Sequence, residues 1–327
     1  MILVKKVKVE KIKKENWIVE NKLKENNKKT KREIISSVII KNIPNWSNLF
    51  FIVNEHEETY FQQNHELFIF NNKNTNFILL KYKINNDYKS FFFNEELNTI
   101  QNIGNVLFAF QNVLDKIILL KENNIHFIGF NHHNIKINKN NDCFLCNFEN
   151  SISSDLFEKY DFNEFLEENY IFYPIEYHFI RYLILHKINS PTIETIEKLV
   201  GEWESKMNYF FDENYFSILK NNFIKSIYPF INQKVEKIYN YINKNIDSWS
   251  LYGFHILFLY FLYNSNPKNE IIEKIIHFII FHINQKTQIN EYKILFEEII
   301  YSIKEEEWKF HFSNHLLLKN HKFLFIS

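Results

Sequence analysis

The chain has 327 residues and a mass of 40.1 kDa, enough for one large domain or two small ones and too long for a disulfide-stapled mini-domain. Hydrophobic residues make up 46% and charged residues 24%, which excludes wholesale disorder. The 39 Lys+Arg are cancelled by 39 Asp+Glu, so no overall basic field draws the protein onto nucleic acid or an anionic membrane.

In chain order, residues 1–31 are Lys-rich, and the alternating run Ile2 to Val9 predicts an exposed strand or hairpin guarded by its lysines. Lys22 to Lys31, dominated by Asn and Lys, reads as a loop. A short helix is predicted over Arg32 to Lys41, ending before Pro44. Strands follow at Leu49–Val53, Glu66–Phe70 and Asn76–Tyr82, the last two joined by the turn Asn71–Thr75. After about residue 88 the pattern becomes helical. Asn105 to Asn123 carries a wide apolar stripe from Val106 to Leu120. Two short β-like runs, Ile135–Ile137 and Cys143–Phe148, flank the turn Asn138–Asp142. Helices are then predicted over 175–187, 191–208, 213–230, 233–245, 247–263, 269–283 and 290–304, with Pro191 and Glu194 in a favourable first turn. No fixed-period repeat is present, which argues against a solenoid. A β-rich first quarter and a helical remainder make the class α+β.

The finer composition is skewed: 47 Asn and 35 Phe against one Ala (Ala109), two Arg (Arg32 and Arg181) and four Gly. These are the residues that AT-rich codons favour and disfavour, so no single Asn or Phe stands out as selected. No site can depend on a Gly-rich loop or an arginine cluster. Cys143 and Cys146 are too few for a disulfide framework, which suits a reducing compartment. Their C-x-x-C spacing lacks a second ligand pair for zinc, and on a strand they would face opposite ways, so both are assigned to the core. The first residues are too short in apolar character for a signal peptide. The most apolar stretch, Leu251–Tyr263 with His255 inside it, is 13 residues long and reads as a buried helix rather than a membrane span. The expectation is a soluble intracellular protein of the cytoplasm or a host cytoplasm.

The informative segment is Leu119 to Asn150. A helix leads into Asn123-Asn-Ile-His-Phe-Ile-Gly-Phe-Asn-His-His-Asn-Ile-Lys-Ile137, then a turn, then Cys143-Phe-Leu-Cys-Asn-Phe-Glu149. This resembles the catalytic loop and metal-binding segment of the eukaryotic-type protein kinase family, in which H-R-D-x-K-x-x-N is followed by a β-hairpin and D-F-G. Tyr173-Pro-Ile-Glu176 resembles the A-P-E element, with Pro174 and Glu176 in place. Asp247-Ser-Trp-Ser-Leu251 resembles the start of the central helix of the large lobe, where the family's Asp holds the catalytic-loop backbone. Phe77–Tyr82 resembles the last small-lobe strand and hinge. The long helical gap between Glu176 and Asp247 is similar to kinase-like proteins of large DNA viruses.

The resemblance implies a two-lobed protein-kinase-like fold: a small, reduced β-rich lobe over 1–84 and a large helical lobe over 85–327, with a helical insertion at about 188–245. It also implies which chemistry is missing. The family's catalytic Asp falls on Gly129, its loop Lys on Asn131, and its His-Arg pair on Phe127 and Ile128. The D-F-G equivalent reads Asn147-Phe148-Glu149. Asn134, at the second metal-ligand position, survives. Lys5 or Lys6 stands as the phosphate-pairing lysine and Glu33 as its partner. Phe148, Pro174, Glu176, Asp247 and Trp249, which serve architecture, remain.

The expected function is that of a catalytically inactive protein kinase-like protein, a pseudokinase acting as a binding or regulatory module. No cofactor is expected beyond a vestigial ATP/Mg²⁺ site at Asn134 and Glu149. The expected partners are proteins, with no specific nucleic acid and no membrane. One alternative is a divergent serine/threonine kinase with Glu149 holding metal and His132 or His133 as base. The other is a helical interaction scaffold unrelated to kinases. His126, His132 and His133 are read as a solvated loop.

Overall fold

The computed structural model describes residues 17–59, 77–85, 89–90, 101–137, 142–153, 172–207, 213–265, 270–283 and 289–302. The chain is mixed α+β and divides into two compact units, residues 1–91 with 133–151, and residues 92–132 with 152–327.

The first unit is built on an antiparallel sheet of β1 (Trp17–Glu25), β2 (Val53–Thr59) and β3 (Phe77–Asn85) in the order β1-β3-β2. The central strand is the apolar one. Its Ile78, Leu80 and Tyr82 are buried with Val53, and Ile34 packs against them. β1 pairs with it along its whole length, from Trp17 opposite Asn85 to Glu25 opposite Phe77. Between β1 and β2 lies α1 (Lys28–Ile40), capped by Asn27, whose side chain accepts the Thr30 N–H at 3.0 Å.

The buried side of α1 is polar, carrying Thr30, Glu33, Ser36 and Ser37 with Ile40, while Ile35 and Val38 are 40% and 56% exposed. This inverts the usual amphipathic order and is tolerable because the buried groups are bonded. The Thr30 hydroxyl donates to the Glu25 carbonyl at 2.7 Å, and Ser36 and Ser151 share a hydroxyl bond of 2.7 Å. Ser37 donates to the Glu33 carbonyl at 2.7 Å and accepts the Val53 N–H at 3.0 Å.

A second antiparallel sheet in this unit joins β4 (Lys89–Ser90), β6 (Ile135–Ile137) and β7 (Cys143–Leu145). Leu49–Phe51 runs beside β7, with Phe51 N–H on the Leu145 carbonyl at 2.8 Å and Leu145 N–H on the Leu49 carbonyl at 3.1 Å. Phe51 stacks on Phe144 with centroids 5.0 Å apart, and Phe50 meets Phe148 edge-on at 6.2 Å.

Among its described residues the second unit is helical apart from the short strands β5 (Ile125–Phe127) and β8 (Ser151–Ser153). Its helices are α2 (Gln101–Glu122), α3 (Ile175–Leu185), α4 (Ile193–Met207), α5 (Glu213–Ile227), α6 (Val235–Asn243), α7 (Asp247–Ser265), α8 (Glu270–His282) and α9 (Ile289–Ser302). α7 is apolar on every side and correspondingly buried. Phe110 of α2 sits at the centre, 4.4 Å from Phe254, 4.9 Å from Phe258 and 4.1 Å from Phe296 by ring centroids. Gly253 is required by close approach: a Cβ there would lie 2.7 Å from the Phe130 nitrogen and 2.9 Å from the Phe172 carbonyl oxygen. Trp203 anchors α4 against α5, 5.6 Å from Phe216 and 4.8 Å from Phe223.

Several expectations are corrected. The loop predicted over Lys22–Lys31 is the end of β1 and the first turn of α1. The polar strand holds because it pairs with the apolar β3, and Lys22 lays its ammonium over the Tyr82 ring at 4.8 Å. The strand predicted at Leu49–Val53 reduces to a bridge at Phe50, and β2 begins at Val53. The β run predicted to Phe148 ends at Leu145, and the helix predicted to residue 230 ends at Ile227 in a 3-10 turn containing Pro229. The strand expectations at Ile2–Val9 and Glu66–Phe70, the turn Asn71–Thr75 and most of the 138–142 turn lie outside the described residues. The apolar stretch from Leu251 is buried in α7, and among the described residues no helix is long and apolar enough to cross a membrane.

Candidate functional site

Among the described residues of the first unit, a cluster of charged groups centres on Lys24 of β1. Its Nζ lies 2.8 Å from Glu33 Oε2 on α1 and 2.7 Å from Glu149 Oε2, which follows β7. Tyr82 of β3 donates its hydroxyl to the other Glu33 oxygen at 2.8 Å. The Glu33 side chain is 2% exposed and that of Glu149 is 39% exposed. Burial opposes the charge on Lys24, but the Glu33 and Glu149 carboxylates outweigh it and raise the Lys24 pKa above the usual lysine value. Glu149 shows the reciprocal effect: burial pushes its carboxyl up, and Lys24, with Lys29 and Lys22 beyond, brings it below the usual range. The Tyr82 phenol is driven far upward by burial and then by Glu33, so it stays a hydrogen-bond donor.

This geometry fits orientation of a cation by a helix carboxylate. It also leaves that cation already neutralised twice, so an incoming phosphate would have to displace Glu149. Sequence reasoning named Glu33 and Glu149 but missed Lys24 and Tyr82; Lys5 and Lys6 lie outside the described residues. The missed signal was the regular β pairing potential of 17–25, hidden by its Asn/Lys content.

Asn134 and Asn147 come together beside this cluster's chain segment. Buried Asn134 donates through Nδ2 to the carbonyls of Cys146 and Asn147, both at 3.1 Å. Asn147 has left-handed backbone, φ 58°, and its Nδ2 donates to the His133 carbonyl at 2.7 Å. These amides clamp the β6–β7 hairpin ends onto each other. Phe148 is fully buried. Cys143 and Cys146 are buried free thiols, and burial pushes Cys146 up to about 11. Among the described residues no group of three His, Cys, Asp or Glu side chains is placed to hold a metal ion.

The remaining sequence candidates lie in the second unit. Gly129 has φ +74°, and a Cβ there would sit 2.7 and 2.9 Å from carbons of the Tyr173 ring. No side chain fits this position without moving Tyr173, itself stacked on Tyr177 at 4.7 Å. Asn131 is buried and donates to the Gly129 carbonyl at 3.2 Å. Pro174 is the extended residue that opens α3, with Glu176 half-buried in the first turn. Trp249 is buried edge-on to Tyr177 at 6.0 Å.

Asp247, expected to hold backbone, instead faces Lys121 Nζ at 3.5 Å and His126 Nε2 at 3.4 Å. The backbone bond belongs to Ser250, whose hydroxyl accepts the Phe127 N–H at 2.7 Å. His126 is not in a solvated loop: it is buried on β5, and burial lowers its pKa. His133 is exposed and His132 half-buried.

Comparison with protein-family models, with curated proteins and with solved structures gives no match for this chain.

Proposed function

We propose that this chain is a catalytically inactive protein-kinase-like protein, a two-lobed fold serving as a binding or regulatory module. Lys24 carries the reading. A strand lysine paired to a carboxylate on the following helix is the arrangement by which protein kinases position a phosphate-binding lysine, and Lys24 and Glu33 make that pair at 2.8 Å. The same lysine is also held by Glu149 at 2.7 Å, within the segment that resembles D-F-G. Further support comes from Gly129, where the Tyr173 ring fills the space that a catalytic Asp would need. Loss of the base, the loop Lys and the metal-binding Asp together removes both acceptor activation and charge neutralisation of a transferring phosphoryl group.

A thermal-shift titration with ATP, with and without Mg²⁺, tests this function. A ligand at about 100 times its dissociation constant stabilises by about 2.7 kcal/mol, a midpoint rise of roughly 4 °C for a chain of this size. The expected outcome is no Mg²⁺-dependent shift at millimolar ATP. A Mg²⁺-dependent shift that Glu149→Gln abolishes, accompanied by ATP-dependent phosphorylation, would replace the proposal with the divergent-kinase alternative.

A further inference from the structure

The two carboxylates on Lys24 are not held alike. Glu33 is almost fully buried, and its second oxygen accepts the Tyr82 hydroxyl at 2.8 Å, so it is fixed from two sides. Glu149 is far more exposed and sits in the single 3-10 turn Phe148–Asn150. Its carboxylate reaches Lys24 through Oε2 at 2.7 Å, from a side chain that a rotamer change carries out into solvent. Removing Glu33 would strand a buried lysine and a buried phenol; removing Glu149 would free one side of a lysine that Glu33 still holds.

Cations crowd the position that Glu149 occupies. Besides Lys24, Lys29 and Lys22 stand close enough to help draw its carboxyl below the usual range. Arg32 Nε donates to the Glu149 carbonyl at 3.4 Å. Glu20 faces Lys22 at 3.7 Å and answers one of these charges. One further carboxylate, Glu149, neutralises less than the rest, so an anion carrying two or more charges suits the position better than a carboxylate does. Phosphate-bearing groups supply that charge, with several acceptor oxygens for the lysines and the guanidinium.

We infer that Glu149 is the chain's own occupant of an anion site on Lys24, and that its carboxylate keeps out phosphate-bearing small molecules that the site would otherwise take. A tethered carboxylate 2.7 Å from the ammonium competes at high effective concentration, and a free anion must first displace it. With that carboxylate gone, Lys24 keeps Glu33 alone, and Lys22, Lys29 and Arg32 are left to share an incoming anion. Neither a nucleoside nor Mg²⁺ is needed for this occupancy, so it stands or falls separately from the kinase-like reading of the same lysine.

Isothermal titration calorimetry of the full chain with inorganic pyrophosphate, at fixed ionic strength and without Mg²⁺, is the test. Glu149→Ala is expected to bind pyrophosphate about tenfold or more tightly than the wild type. Adding Lys24→Met together with Glu33→Gln, so that no buried carboxylate is stranded, should abolish the gain. If Glu149→Ala fails to fold, Glu149→Gln removes the same charge from a side chain of the same length. Equal affinity in the wild type and the Glu149 variant overturns the proposal, as does absence of binding to both. So does a gain that survives the loss of Lys24, because the anion would then sit elsewhere. Each of these results leaves the Mg²⁺-ATP titration free to decide the kinase-like reading on its own.

Discussion

Lys24, Glu33 and Glu149 show what one misplaced element costs in reading a sequence. Two of the three were singled out from the resemblance, but the lysine sits in a run that composition assigns to a loop. Removing it leaves the Glu33 carboxylate almost fully buried without its cation. Lys24→Met is therefore expected to destabilise the protein by about 3 kcal/mol, as breaking one side of a buried pair does. Adding Glu33→Gln to it should recover part of the loss, because the amide still accepts from Tyr82 and carries no charge. Urea unfolding of the single and double variants measures this, and equal stability of the two would contradict the pairing geometry.

Gly129 presents the opposite case: a residue read as a lost catalytic Asp is held by backbone and packing demands of its own. Gly129→Ala combines a positive φ with a Cβ 2.7 Å from Tyr173 and should cost about 2 kcal/mol or more by the same assay. Asparagine takes much of the remaining left-handed backbone, at Asn45, Asn124, Asn147 and Asn232, all with φ of 58–59°. In a chain with four glycines, Asn is the residue that tolerates this region best. Some of the asparagines that looked like codon bias therefore have a conformational task, visible only through their dihedral angles.

Among the helices, those with an apolar stripe were legible, and α1, whose buried face is polar, was not. α2, α7, α8 and α9 fall within a few residues of their predicted ranges, because their apolar periodicity and their burial have the same cause. α1 was placed four residues late, since the face it buries is Thr30, Glu33, Ser36 and Ser37 and a hydrophobic stripe does not mark it. Its Asn27 cap holds the Thr30 N–H, so Asn27→Ala should lower stability by about 1 kcal/mol while Asn27→Asp should not.

The α7–α9 region predicts a pH dependence. His255 is fully buried, and its pKa is pushed down to about 3, first by burial and then by His282, from an ordinary 6.5. Between those values the unfolded chain binds a proton that the folded chain refuses. Stability from this group is complete above about pH 6.5 and falls as the pH drops toward 3, by up to about 1.4 kcal/mol per unit. His126 and His282 are also lowered by burial and add to the same slope. Glu149, with its depressed carboxyl, contributes a further loss as the pH falls below its ordinary 4.5. Lys24, raised above 10.5, contributes stability that is lost only as the pH rises beyond that value. Cys146, raised by burial from an ordinary 9.0 to about 11, takes stability away as the pH rises above 9. Stability should therefore be level from about pH 6.5 to 9 and fall on the acid side, and His255→Phe should flatten the fall between pH 6.5 and 4 in thermal melts.

At the scale of the molecule, the first unit is discontinuous, with 133–151 completing what 1–91 begins. Phe51 on Phe144, Phe50 on Phe148, Ser36 on Ser151 and Lys24 on Glu149 all join the two pieces. A fragment ending at residue 91 loses every one of these contacts and leaves the buried polar face of α1 partly unpaired. Expressed alone, it should show no cooperative transition in denaturant; a sharp one would mean that the unit does not need its second piece.

The sequence by itself determined the α+β class, the order and extent of the apolar helices, the burial of both cysteines and the spacing of the 119–150 segment, because each follows from local periodicity or from neighbours in the chain. Tertiary structure alone decided which lysine meets Glu33, why Gly129 has no side chain, that Ser250 rather than Asp247 holds the backbone at Phe127, and that His126 is dry. Each of those depends on groups from nine to more than a hundred residues apart meeting in a space from which water is excluded, where a polar residue is defined by its partner rather than by its place in the sequence.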